Sequence, residues 1–205
     1  MAYYSRAYIY DASELAFRNM AKYNSDPNTF MIPVQSPPKA AQAAALNFAR
    51  DQLVSLLNQG TRLKSLVFVS HGKAGAIRID RDTVDATSLR NIFGNHSLQW
   101  LMAETGRVYF AGCNVADKEA GWQFLEAAAH VFLTGSGGAA FGWDSYGFGL
   151  TRSFGLVPNI AHLWGRTRYV LVSTDGKTST RKDSVGIEHE IGMEMRKEEL
   201  EREND

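Results

Sequence analysis

The chain holds one cysteine, Cys113, which stands directly after the apolar run Val108-Tyr109-Phe110-Ala111-Gly112. His71 closes a second such run, Leu66-Val67-Phe68-Val69-Ser70. Both runs have the length and composition of buried strands, with turn residues behind them. If the two strands are parallel neighbours, imidazole and thiol emerge at one carboxyl edge of a sheet, where open α/β sheets bind ligands. A thiol at neutral pH is mostly protonated. An imidazole beside it can take the proton and leave a nucleophilic thiolate. That pair is the minimum equipment for acyl transfer. The N–H groups of Gly72 and of Cys113 itself are then candidate oxyanion donors, and glycine at 72 lets another backbone come close.

Neither residue signals chemistry alone, since a lone cysteine behind an apolar strand is commonly just a small buried hydrophobe. Other motifs are weaker. His96, His130, His162 and His189 show no metal-ligand spacing, so no metal site is expected. Gly135-Ser136-Gly137-Gly138 lacks both the Lys-Ser/Thr ending of a phosphate loop and the dinucleotide spacing. No cofactor is expected. Asp144, Trp143 and Tyr146 follow a further candidate strand and are candidate substrate contacts. Asp144 could hold a basic side chain through charge-assisted hydrogen bonds, with Trp143 and Tyr146 against its stem. Capping the turn at Ser145 is the other role open to Asp144.

Elements must position these residues. Strands are expected over 7–10, 30–34, 63–70, 76–80, 107–111, 139–143 and 168–173, the last closing the sheet. Helices are expected over 13–23, 39–58, 86–93, 98–104 and 118–132. In 39–58 the apolar residues Leu46, Ala49, Leu53 and Leu56 fall on one face, and Gly60 follows as a stop. In 118–132 the stripe is Trp122, Leu125, Ala129 and Phe132. Residues 71–75 read as a glycine-flexed turn and 142–155 as a long shaped loop. Strand and helix alternate, which implies an α/β fold with a mostly parallel central sheet flanked by helices.

The length, 205 residues, suits one domain. Hydrophobic residues are 44% and charged residues 21%, ordinary for a globular chain with a full core. Formal net charge is zero, so no overall field draws the chain to nucleic acid or membrane, and neither is expected as a partner. One cysteine permits no internal disulfide, which suits a reducing compartment. No signal peptide or membrane span is visible, and a cytoplasmic location is expected. Residues 181–205 carry five basic and nine acidic side chains. We therefore divide the chain into a domain over 1–180 and a charged tail over 181–205.

Val67-Phe68-Val69-Ser70-His71-Gly72, then Gly75, then Tyr109-Phe110-Ala111-Gly112-Cys113-Asn114-Val115-Ala116, then Gly121 resembles the caspase-like superfamily. That superfamily includes caspases, metacaspases, clostripain-like and gingipain-like peptidases, and separase. The likeness is strongest to the bacterial domain of unknown function numbered 4347. It covers about residues 63–145. The order also fits, with the histidine some tens of residues before the cysteine. The resemblance implies a caspase-like three-layer sandwich. It implies a cysteine peptidase of peptide or protein substrates, with His71 as base or imidazolium, Cys113 as nucleophile and Gly72 as an oxyanion donor. Two departures limit what it carries. Caspases have Gln-Ala-Cys-Arg-Gly where this chain has Ala111-Gly112-Cys113-Asn114-Val115, and metacaspases have an acidic residue where this chain has Ala111. Cleavage preference is therefore not inherited from either. Two other functions stay open. One is an α/β-hydrolase-like esterase using Cys113, Asp144 and His162, although the glycine two positions after the nucleophile is missing. The other is an inactive caspase-like interaction domain.

Overall fold

The structure is a computed structural model that describes residues 4–36, 43–94, 98–145, 147–149, 160–162, 166–177 and 179–184. The chain opens with β1 (Arg6–Asp11), α1 (Leu15–Asn24), β2 (Thr29–Val34) and α2 (Ala44–Asn58). Next come β3 (Leu63–Val69), β4 (His71–Lys73), β5 (Ala76–Ile79), β6 (Asp82–Asp85) and α3 (Ala86–Phe93). A short 3-10 helix (Leu98–Trp100) leads into β7 (Met102–Ala111), α4 (Lys118–Leu133) and β8 (Gly138–Trp143). The chain continues through β9 (Gly147–Gly149), β10 (Ile160–His162), β11 (Thr167–Val172) and β12 (Ser179–Ser184).

Seven strands form the central sheet in the order β12-β11-β8-β7-β3-β1-β2. From β2 to β8 every pairing is parallel, while β11 runs antiparallel to β8 and β12 antiparallel to β11. The strands are apolar on both faces because both faces are covered. On one face Leu66, Phe68, Val108 and Phe110 meet Leu46 and Leu53 of α2, Phe93 of α3, and Phe124 and Phe132 of α4. On the other, Tyr8, Val67, Tyr109, Phe141 and Tyr169 share a cluster with Ala21, and Phe17 and Met20 of α1 pack against it. The result is a mixed α/β sandwich of three layers. Strands β4, β5 and β6 form a separate antiparallel sheet of three, and β9 pairs with β10 in a third sheet.

Five sequence expectations change. Of residues 98–104 only Leu98–Trp100 are helical, as a single 3-10 turn. Leu98, Leu101 and Met102 are buried, and from Met102 the chain is already strand, with Thr105 in the left-handed region (φ 56°). The β3–β7 register jumps there, from Leu63 opposite Met102 to Ser65 opposite Arg107. Three buried anchors and a bulge broke the period that suggested a helix. Residues 71–73 are a strand rather than a turn, because Gly72 pairs with Ile77; the turn itself is Ala74-Gly75. The strand over 167–172 is not the last. Ser179–Ser184 adds an edge strand whose polar composition hid it, and charged residues are a normal protection for such an edge. The boundary set at 180/181 thus falls inside β12, and 185–205 lie outside the described residues. Within 142–155, Gly142 and Trp143 belong to β8 and Gly147–Gly149 to β9.

Candidate active site

The β3–β7 register pairs Val67 with Tyr109, Phe68 with Phe110 and Val69 with Ala111. That ladder ends at Val69 and Ala111; His71 follows two residues on as the first residue of β4, and Cys113 follows two residues on in the turn before α4. Both therefore lie beyond the carboxyl ends of neighbouring parallel strands. The two strand ends touch through their backbones. A Cβ at Gly72 would lie 2.5 Å from the Cys113 carbonyl oxygen and 2.5 Å from Val115 Cγ2. A Cβ at Gly112 would lie 3.2 Å from the Gly72 nitrogen. No side chain fits between them, so glycine at 72 is required by packing.

The segment after Cys113 is held from several sides. Asn114 takes the left-handed conformation (φ 57°), which asparagine tolerates well. Its N–H donates to the Ser145 carbonyl at 2.8 Å, and Ala116 N–H donates to the Trp143 carbonyl at 2.8 Å, both beyond or at the end of β8. Gly75 N–H donates to the Val115 carbonyl at 3.0 Å. Gly75 has φ +73°, and a Cβ there would meet Ala120 at 2.7 Å. A Cβ at Gly121 would overlap the Ala116 backbone. The glycines of the sequence motif thus converge on one purpose: they let the β4–β5 turn and the first turn of α4 close on residues 113–116.

His71 is half exposed, at 50% of its side chain, whereas Ser70 before it is buried. Its Nε2 lies 3.5 Å from Glu14 Oε1, and the edge of its ring packs against Phe17 at 5.0 Å between centroids. Glu14 sits at the N-terminal cap of α1 without making a capping bond. Arg78 stands directly opposite His71 across the β4–β5 pair. The β5–β6 corner is tied to the end of β1, where Asp80 N–H donates to Asp11 Oδ2 at 2.7 Å. Cys113 is partly buried.

The other expected site residues fall differently. Trp143 is 6% exposed and belongs to the cluster with Tyr109, Phe141 and Tyr169. Asp144 Oδ1 accepts the Arg166 N–H at 2.6 Å, and Oδ2 lies 3.7 Å from Arg168. Its carboxylate thus joins the end of β8 to β11. Arg168 continues the lock by donating to the Ala116 carbonyl at 2.9 Å. Tyr146 lies outside the described residues. His162 is in β10, but its side chain is outside them too. Among the described residues no group of three or more His, Cys, Asp or Glu could hold a metal ion.

Residues 36–136 match the model of a domain of unknown function, DUF4347. No curated protein and no solved structure matches the chain. The DUF4347 match runs through α2, β3, the small sheet, α3, β7 and α4, so it contains His71, Gly72, Cys113 and the three motif glycines that pack around them. It ends before β8 and begins after α1, so Asp144 and Glu14 lie outside the DUF4347-like segment. Among the described residues, no helix is long and apolar enough to cross a membrane.

Proposed function

We propose that this chain is a cysteine peptidase of caspase-like type, acting on peptide or protein substrates in the cytoplasm. The observation that carries the reading is the contact of the two strand ends, where a Cβ at Gly72, next to His71, would lie 2.5 Å from the Cys113 carbonyl oxygen beyond the carboxyl ends of the parallel strands β3 and β7. His71 takes the thiol proton, and the Cys113 sulfur attacks the scissile carbonyl to form a C–S bond. The oxyanion faces the N–H groups of Gly72 and Cys113. The tetrahedral adduct collapses as the C–N bond breaks, and the imidazolium gives its proton to the departing amine. Water, deprotonated by His71, then adds to the thioester, and the carboxylic acid leaves as the thiol is restored.

The contact at Gly72 sets its segment against the Cys113 carbonyl, so the two segments that would supply the N–H groups are neighbours. A basic-residue pocket at Asp144 gains nothing from this geometry, because that carboxylate is occupied by Arg166 and Arg168. The test is turnover of a mixed quenched-fluorescent peptide library by the full chain. The expected result is cleavage by the wild type, with Cys113→Ala and His71→Ala each losing at least ~100-fold. Cleavage that survives Cys113→Ala refutes the assignment. A wild type that cleaves nothing, and whose Cys113 reacts no faster than that of His71→Ala, favours the inactive interaction domain.

A further inference from the structure

We propose that Glu14 is a positioning residue for His71: it holds the imidazole with Nε2 as the protonated nitrogen, leaving Nδ1 as the base that faces the thiol. The inference rests on the dyad reading above and extends it to a residue outside the DUF4347-like segment. Glu14 Oε1 is 3.5 Å from His71 Nε2, close enough to attract the ring N–H and about half an ångström short of a good hydrogen bond. Phe17, one turn along α1, packs its ring against the imidazole at 5.0 Å, so one helix fixes the ring both by charge and by contact. A histidine tautomer is set by the partner of its other nitrogen. A carboxylate accepts only, so a Glu14 beside Nε2 selects Nε2–H.

Sheet order explains how the contact arises. β1 lies beside β3, so the chain leaving β1 reaches the carboxyl edge next to the strand that ends at His71. Glu14 makes no helix-capping bond with its side chain, so it has no evident duty to α1. Its side chain is 45% exposed. Arg78 stands opposite His71 on β5, and the Glu14 charge is opposite to it in sign.

The experiment uses the full chain. Long-range 1H–15N correlation spectra of the imidazoles, with His71 assigned by its loss in His71→Ala, report the tautomer. The rate of Cys113 alkylation by iodoacetamide at neutral pH reports the thiol. The expected result is the Nε2–H tautomer in the wild type, a displaced His71 Nε2 resonance in Glu14→Ala, and its recovery in Glu14→Gln, which keeps an acceptor. Alkylation slows about threefold in Glu14→Ala, the scale of a partly exposed ion pair, while the melting temperature does not change. An Nδ1–H tautomer in the wild type, or a Nε2 resonance unmoved by Glu14→Ala, overturns the proposal. Separately, if His71→Ala leaves the alkylation rate unchanged, the dyad reading fails, whatever the tautomer.

Discussion

At Gly72 a single hydrogen stands where a methyl group would meet the Cys113 carbonyl and Val115. Gly72→Ala must push the two strand ends apart. An overpacking cost of about 2 kcal/mol is expected, read as a fall in Tm of roughly 4–8 °C. An unchanged Tm would mean the strand ends are not in contact. Tyr8 gives a prediction of the opposite sign. It is fully buried in β1, among the described residues its hydroxyl has no hydrogen-bond partner, and burial drives its ionisation far above the usual tyrosine range. Tyr8→Phe removes an unsatisfied polar atom and should raise stability by about 1 kcal/mol, measurable by denaturant titration. Loss of stability would reveal a partner for the hydroxyl. At this scale the positions of His71 and Cys113 just beyond strand ends were legible, because each follows an apolar run, whereas Gly75 and Gly121 were marked only by the family likeness. Glu14 was not. In the chain it is one acidic residue at a helix start, where the helix dipole already favours negative charge. Only strand order brings it to His71.

Among the elements, α3 begins at the expected residue because Asp85 announces it. The Asp85 carboxylate accepts the Ser88 N–H at 2.8 Å, and that hydrogen bond holds its pKa below the ordinary aspartate value. A depressed folded-state pKa gives stability that is full above the unfolded value, about 3.9. It is lost as pH falls through the folded value. Asp85→Ala should therefore cost about 1 kcal/mol at pH 6, and the Tm gap to wild type should narrow as the pH falls below the unfolded value. A gap that persists in acid would place the cost elsewhere. The edge strand β12 escaped the sequence reading because its residues, Ser-Thr-Arg-Lys-Asp-Ser, carry no apolar alternation. What docks it is Arg181. Its guanidinium bonds Glu126 at 2.7 Å and Glu119 through two bonds of 2.8 Å, and lies 5.6 Å from the Trp122 ring that Arg168 also approaches. Glu119 is held below its ordinary pKa by the Arg181 hydrogen bond. Arg181→Ala is expected to cost about 1 kcal/mol, and the difference should shrink in 1 M salt, where screening acts within about 3 Å. Arg181→Lys should recover less than half, since lysine lacks the two-pronged fork. No change in Tm for Arg181→Ala would remove this network from the stability of the sheet edge.

Over the whole molecule, alternation of strand and helix was enough to give the parallel part of the sheet, because βαβ units leave few other arrangements. The antiparallel edge was less visible, since β11 and β12 return without a helix between them and the second is polar. Net charge of zero leaves recognition to local groups, among them those beyond the carboxyl ends of β3 and β7, where Gly72 packs against Cys113. The central claim is that His71 and Cys113 act as one unit there. The most direct measurement is intact-mass analysis of the full chain after brief exposure to a panel of peptides bearing a thiol-directed acyloxymethyl ketone. The expected result is one adduct on Cys113 in the wild type and at least tenfold slower labelling in His71→Ala, with both proteins folded to the same Tm. Equal labelling of wild type and His71→Ala would contradict it.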